Sequence, residues 1–236
     1  MNMKAEMKMN KKSQAVILLS GGLDSIVALD YVLKHTDINI ELALTFNYGQ
    51  KAAAKEIELS AKICKYYNLK HKIIELDWLK EITKTALVSS NAVPTENLNT
   101  KSSAESVWVP NRNALFLNIA GCYCDSFGYK YIIYGANRDE AKTFPDNTEI
   151  FRNEITTLFK SSTLVKPEVY APLINYSKDD IVKIAVKDSV PLELVWSCYE
   201  SGSKHCGECE SCKHLKRALI TNQSKKYLDI LFKNEN

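Results

Sequence analysis

The 236-residue sequence lacks the features of several protein classes. No apolar run approaches the ~18 to 20 residues that a helix needs to cross a bilayer, so we do not expect a membrane-spanning chain. The excess of positive charge is small, because 31 lysine and arginine residues face 28 aspartate and glutamate residues. A nucleic-acid-binding domain normally concentrates basic residues on one surface, so a net charge of +3 gives no reason to expect direct contact with nucleic acid. Internal repeats and low-complexity linkers are also missing.

A secretory signal is missing as well. The first 14 residues, MNMKAEMKMNKKSQ, contain lysines but no apolar core segment after them. We therefore expect a cytoplasmic protein with a disordered extension at residues 1–14. The rest has the balance of a globular chain, with 45% hydrophobic and 25% charged residues, and it is long enough to bury a core.

Short apolar runs alternate with helical patterns along the chain. The predicted strands are 15–20, 40–46, 71–77, 131–135 and 168–173. The longer predicted helices are 23–35, 51–68, 113–128 and 149–162. Residues 80–106 are polar and are expected to be irregular. Ser177 followed by Asp180 has the spacing of a capping box and predicts a helix over 178–188. This alternation predicts an α/β fold, a doubly wound parallel sheet of five strands. We expect a sheet domain at 15–190, with a C-terminal segment at 191–236 packed on it.

The segment Ser-Gly-Gly-Leu-Asp-Ser, residues 20–25, separates the first strand from the first helix. Ligands bind at the carboxyl ends of the strands in such sheets, and a helix N-terminus favours an anion. Gly21 and Gly22 let the backbone approach that anion without a Cβ in the way, and Ser20 and Ser25 can add hydroxyl donors. The pattern therefore predicts a phosphate site.

Asp24 is unusual in a phosphate loop, because a carboxylate repels phosphate. It suits a metal ion bound between the two, or a helix cap. The segment is not a Walker loop, since it lacks the lysine that holds a β- or γ-phosphate, and it lacks the third glycine of a dinucleotide fingerprint. The alternative is a plain tight turn with Asp24 or Ser25 as an ordinary cap.

Four of the seven cysteines lie close together near the C-terminus. Two-residue gaps separate Cys206, Cys209 and Cys212, and Cys198 lies eight positions before the first of them. In a chain without a secretory signal this clustering favours a metal over disulfides. Four thiolates complete a closed, structural zinc site, although an iron–sulfur cluster also takes four cysteines. His205 lies beside the cluster and is predicted to be an exposed surface residue.

Three other cysteines have a simpler interpretation. Cys122 and Cys124 fall two positions apart on a predicted helix, about 200° around its axis, so they point to opposite faces. This spacing argues against a sulfur-carrying pair and favours buried packing residues. Cys64 lies within an amphipathic helix and is interpreted in the same way.

Arg112 falls in the first turn of a predicted helix, after Pro110. A cation is unfavourable at that end of the helix dipole, so we expect it to bind an anion, either phosphate or a substrate carboxylate. An arginine on a solvated surface is the alternative.

Together these motifs resemble the ATP pyrophosphatase (PP-loop) superfamily, through residues 20–25. Within it the chain is similar to the 7-cyano-7-deazaguanine synthase family, whose further motifs occur here in the expected order at 44–50, 109–113, 144–147, 171–173 and 194–218. The resemblance covers nearly the whole chain after residue 14. The chain departs from the family pattern at Asn47, where aspartate is frequent, and at 143–148, where Thr-Phe-Pro-Asp-Asn-Thr replaces Gly-Tyr-Pro-Asp-Cys-Arg. Asp146 is kept.

The resemblance implies an ATP-dependent carbon–nitrogen ligase that converts 7-carboxy-7-deazaguanine and ammonia to a nitrile through an adenylate and an amide. It implies ATP, Mg²⁺ and one zinc ion per chain, with Asp24 and Arg112 in the chemistry. The nucleotide would contact Ser20, Gly21, Gly22, Leu23, Asp24, Ser25, Tyr48 and Gln50. The deazapurine would contact Asn113, Gly135, Asn137 and Asp146, and zinc the four clustered cysteines. A homodimer is the assembly we consider. A tRNA thiolase and a non-catalytic nucleotide-binding module stay open as alternatives.

Overall fold

The computed structural model describes residues 13–96, 98 and 101–233. Its strands are β1 (Ser13–Leu18), β2 (Ile38–Asn47), β3 (Lys70–Glu75), β4 (Tyr131–Ile133) and β5 (Glu168–Tyr170). They form one five-stranded sheet in the order β3-β2-β1-β4-β5, and every neighbouring pair is parallel. The predicted doubly wound α/β sheet is confirmed, with all five strands at the predicted places.

Ten α-helices are assigned within the described part of the chain. They are α1 (Leu23–His35), α2 (Ala53–Tyr66), α3 (Asp77–Ile82), α4 (Lys101–Val107), α5 (Arg112–Phe127), α6 (Arg138–Ala141), α7 (Glu149–Ser162), α8 (Lys178–Lys187), α9 (Glu210–Thr221) and α10 (Lys226–Leu231). The capping box of α8 is present as predicted. The prediction of an irregular stretch over 80–106 was wrong in part. That stretch contains the end of α3 and most of α4, which buries Ala104 and Val107 against the core.

The sheet separates two apolar layers. Side chains of β1 alternate between them, so Ala15 and Ile17 face one layer and Val16 the other, all fully buried. The first layer contains residues of α1, α2, α8 and α9, and the second contains residues of α5 and α7. Strands β2 and β3 extend the sheet on one side of β1, and β4 and β5 extend it on the other side. The crevice beyond the carboxyl ends of β1 and β4 is therefore the topological switch point, where such sheets bind ligands.

Of the predicted extension at 1–14, residues 1–12 lie outside the described residues, and Ser13 and Gln14 begin β1. At the other end, α9 packs on the first layer through Leu215 and Leu219. No helix of the described residues has the length and apolar character that a bilayer span requires.

The isolated cysteines confirm one prediction and correct another. Cys122 and Cys124 do lie on opposite faces of α5, since Cys124 is buried and Cys122 is exposed. The prediction that both are buried was wrong for Cys122, because only one face of α5 packs on the sheet. Cys64 is buried in the first apolar layer, as predicted.

Candidate active site

The loop between β1 and α1 has the backbone shape of an anion site. Gly21 has a φ of +75°, which favours glycine, and its carbonyl accepts a hydrogen bond of 2.8 Å from the Trp196 N–H. Gly22 is the N-cap of α1 and has no side chain to cap the helix, although the Leu23 N–H at the first helical position donates to the Ser197 hydroxyl at 3.5 Å. The alternative that Asp24 or Ser25 is an ordinary cap was therefore wrong. The first turn of α1 keeps the uncapped N-terminus that favours an anion.

The two serine hydroxyls of the loop form hydrogen bonds with the backbone of the loop itself. The Ser25 hydroxyl donates to the Gly22 carbonyl at 3.0 Å, and the Ser20 hydroxyl accepts from the Gly22 N–H at 3.3 Å. Ser20 is exposed to the cleft, whereas Ser25 is buried. Both therefore shape the loop, and Ser20 has the access that a phosphate contact needs.

Asp24 belongs to a group of three charges centred on a buried lysine. Its carboxylate pairs with the Lys178 ammonium, which also lies 2.8 Å from the Glu140 carboxylate. Lys178 is only 7% exposed. Burial acts against its charge, but the two carboxylates raise the pKa of Lys178, so the side chain stays an ammonium ion. The other carboxylate oxygen of Asp24, Oδ1, is buried and has no partner among the described residues.

Arg112 lies at N1 of α5 with its guanidinium directed toward the end of β2. Its Nη1 donates to the Tyr48 hydroxyl at 3.2 Å. Burial raises the pKa of Tyr48, although the Arg112 charge opposes the shift, so the hydroxyl stays neutral. No carboxylate among the described residues forms a salt bridge with Arg112. Its charge is therefore available to an anion, and the surface-arginine alternative is wrong because Arg112 lines a buried cleft.

Gln50 holds the turn after β2. Its Nε2 donates to the Phe46 carbonyl at 2.9 Å and to the Glu56 carboxylate at 2.7 Å, and its Oε1 accepts from the Tyr48 N–H at 2.9 Å. Asn47 accepts from the Gly49 N–H at 3.2 Å and shapes the same turn. The predicted nucleotide contact of Gln50 stays a prediction, because both ends of its amide already have protein partners.

A cleft with two compartments opens at the carboxyl end of the sheet. The inner compartment, about 210 Å³, is lined by the ends of β1, β2 and β4. The outer compartment, about 240 Å³, extends between α4, α8 and the C-terminal segment. Both are lined by Ser20, Gly22, Asp24, Tyr48, Glu56, Arg112, Glu140 and Asn147. The phosphate loop and Arg112 therefore lie where the compartments meet, and Lys178 lines the outer compartment.

The predicted base contacts are distributed unevenly around this cleft. Asn113 and Gly135 line the inner compartment, and Asp146 lines the outer one. Asn137 is fully buried, and its side chain caps α6 by accepting from the N–H groups of Asp139 and Glu140 at 3.0 Å. The structure thus gives Asn137 a structural role, and its contact with a base stays a prediction.

Gly135 has a steric role at this site. A Cβ built on it would lie 2.8 Å from the Asp24 carbonyl carbon and 2.9 Å from the Ser25 nitrogen. The end of β4 therefore approaches the first turn of α1 too closely for any side chain. The structure accounts for this glycine by packing, without a ligand.

The four clustered cysteines converge as their spacing predicts. The sulfur atoms of Cys198, Cys206, Cys209 and Cys212 all lie within 4.8 Å of one another. A tetrahedral ion with metal–sulfur bonds of about 2.3 Å separates its sulfurs by about 3.8 Å. The Cys206 and Cys212 sulfurs are 3.8 Å apart. The site fits a single ion, since an iron–sulfur cluster would place its inorganic core between the thiolates and separate them further.

The prediction that His205 is an exposed surface residue was wrong. His205 is 1% exposed and lies between the rings of Trp196 and Phe232, at 4.6 and 5.0 Å. Its Nε2 accepts from the Ser197 N–H at 2.9 Å, so Nδ1 carries the hydrogen and donates to the Leu231 carbonyl at 3.0 Å. Burial lowers the pKa of His205, consistent with this neutral form. A histidine among polar residues gave no sequence signal for burial, which comes from the later segment that covers it.

Sequence reasoning missed three side chains that line the cleft. Lys178 directly follows a helix cap and has the appearance of a surface residue, and Glu140 lies in a polar turn. Trp108 lines the outer compartment beside Phe144. A lysine thus reaches the loop residue Asp24 from 154 positions away. Only the carboxylate at Asp24, which needs a counter-charge once buried, could have indicated it.

Comparison with known proteins places these features in one family. The model of the family described as "Queuosine biosynthesis protein QueC" matches residues 14–223. A 7-cyano-7-deazaguanine synthase from Carboxydothermus hydrogenoformans is 48% identical, over 87% of this chain and 97% of that protein. A second, from Bdellovibrio bacteriovorus, is 46% identical over 91% of this chain and 95% of that protein.

Among solved structures, the U34-tRNA thiolase NcsA from Methanococcus maripaludis superposes with a TM-score of 0.50. The two chains share 16% sequence identity, and the superposition covers 94% of this chain and 71% of the thiolase chain. A likeness at this identity shows the fold alone. The family match and the two relatives go further, because they extend over the phosphate loop, the cleft and the cysteine cluster alike. On their strength, the chain belongs to the QueC family of queuosine biosynthesis proteins.

Proposed function

We propose that this chain converts 7-carboxy-7-deazaguanine and ammonia to 7-cyano-7-deazaguanine, with ATP as the activating substrate. The observation that carries the proposal is the cleft itself. It places an uncapped helix N-terminus and the free cation of Arg112 around one space, in a chain closely similar to proteins named for this reaction. A pyrophosphate and a carboxylate are the two anions that such a space suits.

In the first half of the reaction a substrate carboxylate oxygen attacks the α-phosphorus of ATP, and the bond to pyrophosphate breaks. The first turn of α1 and the Ser20 hydroxyl hold the departing pyrophosphate. Arg112 lies in both compartments and balances the charge that gathers near the α-phosphate. Ammonia then attacks the activated carbonyl carbon, AMP leaves, and loss of a proton from nitrogen gives the amide.

The second half repeats the activation on the amide. The amide oxygen attacks the α-phosphorus of a second ATP, and pyrophosphate leaves again. The nitrogen then loses its two protons while the carbon–oxygen bond breaks, so AMP departs and the nitrile forms. The same groups serve both halves, since each half develops charge at the same place. Catalysis is positioning and electrostatics, which suits a cleft rich in backbone donors.

Two metal sites accompany this proposal. The unpartnered oxygen of Asp24 would ligate Mg²⁺, which neutralises phosphate charge when bound. The four cysteine sulfurs would hold one zinc ion in a closed site, whose role is structural because it leaves no open position. A homodimer, a cytoplasmic location and the absence of direct nucleic-acid contact stay predictions of the sequence.

The test counts nucleotides against nitrile. The protein is incubated with 7-carboxy-7-deazaguanine, ATP and ammonium, and the bases and nucleotides are separated by chromatography with mass detection. We expect about two AMP and two pyrophosphate per nitrile. The amide of the same base should need no ammonium and release about one AMP. Nitrile with ADP and inorganic phosphate would refute attack at the α-phosphate, and no turnover of either base would refute the assigned reaction.

A further inference from the structure

An aromatic pair forms part of the wall of the outer compartment. The rings of Trp108 and Phe144 are stacked, with centroids 5.7 Å apart and planes inclined by 13°. Both residues are half-buried and both line the compartment. Trp108 follows α4, and Phe144 precedes the 3-10 turn of Pro145–Asn147. Parallel aromatic faces beside a cleft favour a planar heterocycle.

Asp146 lies two residues after Phe144 and lines the same compartment. It is 8% exposed, and its Oδ1 accepts from the Asn147 Nδ2 at 3.0 Å, which fixes the plane of the carboxylate. Its carbonyl accepts from the Asn113 Nδ2 at 3.5 Å, so the backbone is also held. Burial raises the pKa of the Asp146 carboxyl, and the charge of Arg112 opposes that shift.

The other carboxylates of the outer compartment already have strong partners or lie open to water. Asp24 and Glu140 share Lys178, Glu56 accepts from Gln50, and Asp139 pairs with Lys142. Glu210 is half-buried at the start of α9. Among the described residues of this compartment, Asp146 alone combines a buried carboxylate, no salt bridge and a neighbouring aromatic surface.

We propose that Asp146 recognises the 2-amino-4-oxopyrimidine edge of the deazapurine, while Trp108 and Phe144 support its ring. This inference rests on the proposed function and specifies how its substrate is selected. That edge carries two adjacent donors, the ring N1–H and the exocyclic amino group. The free oxygen of Asp146 accepts from the amino group, and Oδ1 keeps a lone pair for N1–H. The 7-carboxylate then points away from Asp146, toward Arg112 and the phosphate loop.

Because the acceptor is charged, the hydrogen bond from the amino group should contribute strongly to the selectivity between bases. A base lacking that group leaves a buried oxygen without its donor, and a site built for a donor rejects such an analogue. We expect the wild-type kcat/KM to favour 7-carboxy-7-deazaguanine over its 2-deamino analogue by about 10- to 100-fold.

The test combines this pair of bases with three variants. In Asp146→Ala and in the isosteric Asp146→Asn, the preference should fall to within about threefold of unity, because the acceptor pair is lost. Glu210→Gln, the matched control on the other unpaired carboxylate, should keep the full preference. Trp108→Leu should weaken both bases by about tenfold and leave their ratio unchanged, because stacking does not depend on the amino group. ATP affinity, measured by titration, should be unchanged in both Asp146 variants.

The outcomes separate this inference from the proposed function. A wild-type protein that turns over both bases equally, or Asp146 variants that keep the preference, would overturn the recognition by Asp146 while leaving the reaction intact. If an Asp146 variant fails to fold, competition between the two bases for the wild-type protein decides the matter, and equal binding refutes the inference. If neither base reacts or binds, the proposed function itself fails.

Discussion

Lys178→Met removes the ammonium between Asp24 and Glu140 and keeps a side chain of similar length. Lys178 is 7% exposed, so the two carboxylates lose their counter-charge without gaining full access to water. Breaking a buried ion pair by removing one partner costs about 3 to 5 kcal/mol. The Glu140 side chain is 37% exposed, and water screens that half of the interaction. We therefore expect the lower value, about 3 kcal/mol.

This loss of unfolding free energy is large enough to measure by thermal unfolding. For a chain of 150 to 250 residues, 1 kcal/mol shifts Tm by about 2 to 4 °C, so Lys178→Met should lower Tm by about 6 to 12 °C near neutral pH. Nucleotide turnover should also fall, because Asp24 would lose the charge beside it that keeps it ionised.

The loss of stability in Lys178→Met should depend on pH. Burial raises the pKa of Asp24 to about 6 against the attraction of Lys178, so the folded protein binds this proton more tightly than the unfolded chain does. The contribution of Asp24 to stability therefore falls as pH rises from about 4 to 6. Without Lys178 the pKa rises further and the loss extends to higher pH. The variant should thus be closer to the wild type at pH 5 than at pH 8.

Lys183→Met is the matched control, since Lys183 is an exposed residue of the same helix, α8. It removes the same charge from the same element and should change Tm by no more than about 2 °C. Thermal unfolding of the three proteins at pH 5, 6.5 and 8 decides between the possibilities. A Lys178 variant as stable as the Lys183 variant at every pH would show that the buried charges are not coupled as described.

Three further changes test the loop and the C-terminal segment. Gly22→Val should abolish ATP binding in titration with an unchanged circular dichroism spectrum, because its Cβ has no contact nearer than 3.3 Å and would project toward the cleft. Cys209→Ser should lower both the zinc content by elemental analysis and Tm, since metal binding energy is partly folding energy; iron with sulfide in the wild type would contradict it. His205→Leu leaves the half-buried Ser197 N–H unpaired and should weaken ATP binding about tenfold or more while zinc content stays at one per chain; unchanged affinity would show that the loop is held without it.

The sheet could be predicted because its signal is local. Each strand is a short apolar run, and the phosphate loop is six consecutive residues, so nothing distant is needed to recognise them. The cysteine cluster is recognisable for the same reason, as its spacing alone brings the thiolates together. The α4 helix had no such signal. Its sequence, KSSAESV, is polar and short, and it is helical because tertiary packing buries Ala104 and Val107.

Asp24 and Arg112 could be predicted, but the partners of the buried groups could not, because they depend on which chain segments meet. Lys178 reaches Asp24 only because α8 begins beside the first turn of α1. His205 is buried only because Phe232 and Trp196 cover its two faces. In both cases the local sequence is typical of a surface, and a contact across many residues decides otherwise.

The phosphate loop and the cysteine cluster are parts of one structure, although 173 positions separate Cys198 from the last loop residue, Ser25. Trp196 donates its N–H to the Gly21 carbonyl, and Cys198, two residues later, belongs to the cysteine cluster and lines the cleft. Displacement of the Cys198 thiolate would therefore move the segment that contains Trp196. The Trp196 N–H holds the left-handed turn at Gly21. Trp196, Cys198, Cys209 and Cys212 also belong to the first apolar layer, so the same segment contributes to the fold. A metal bound at the cysteines would therefore stabilise both the conformation of the cleft loop and the packing of the C-terminal segment.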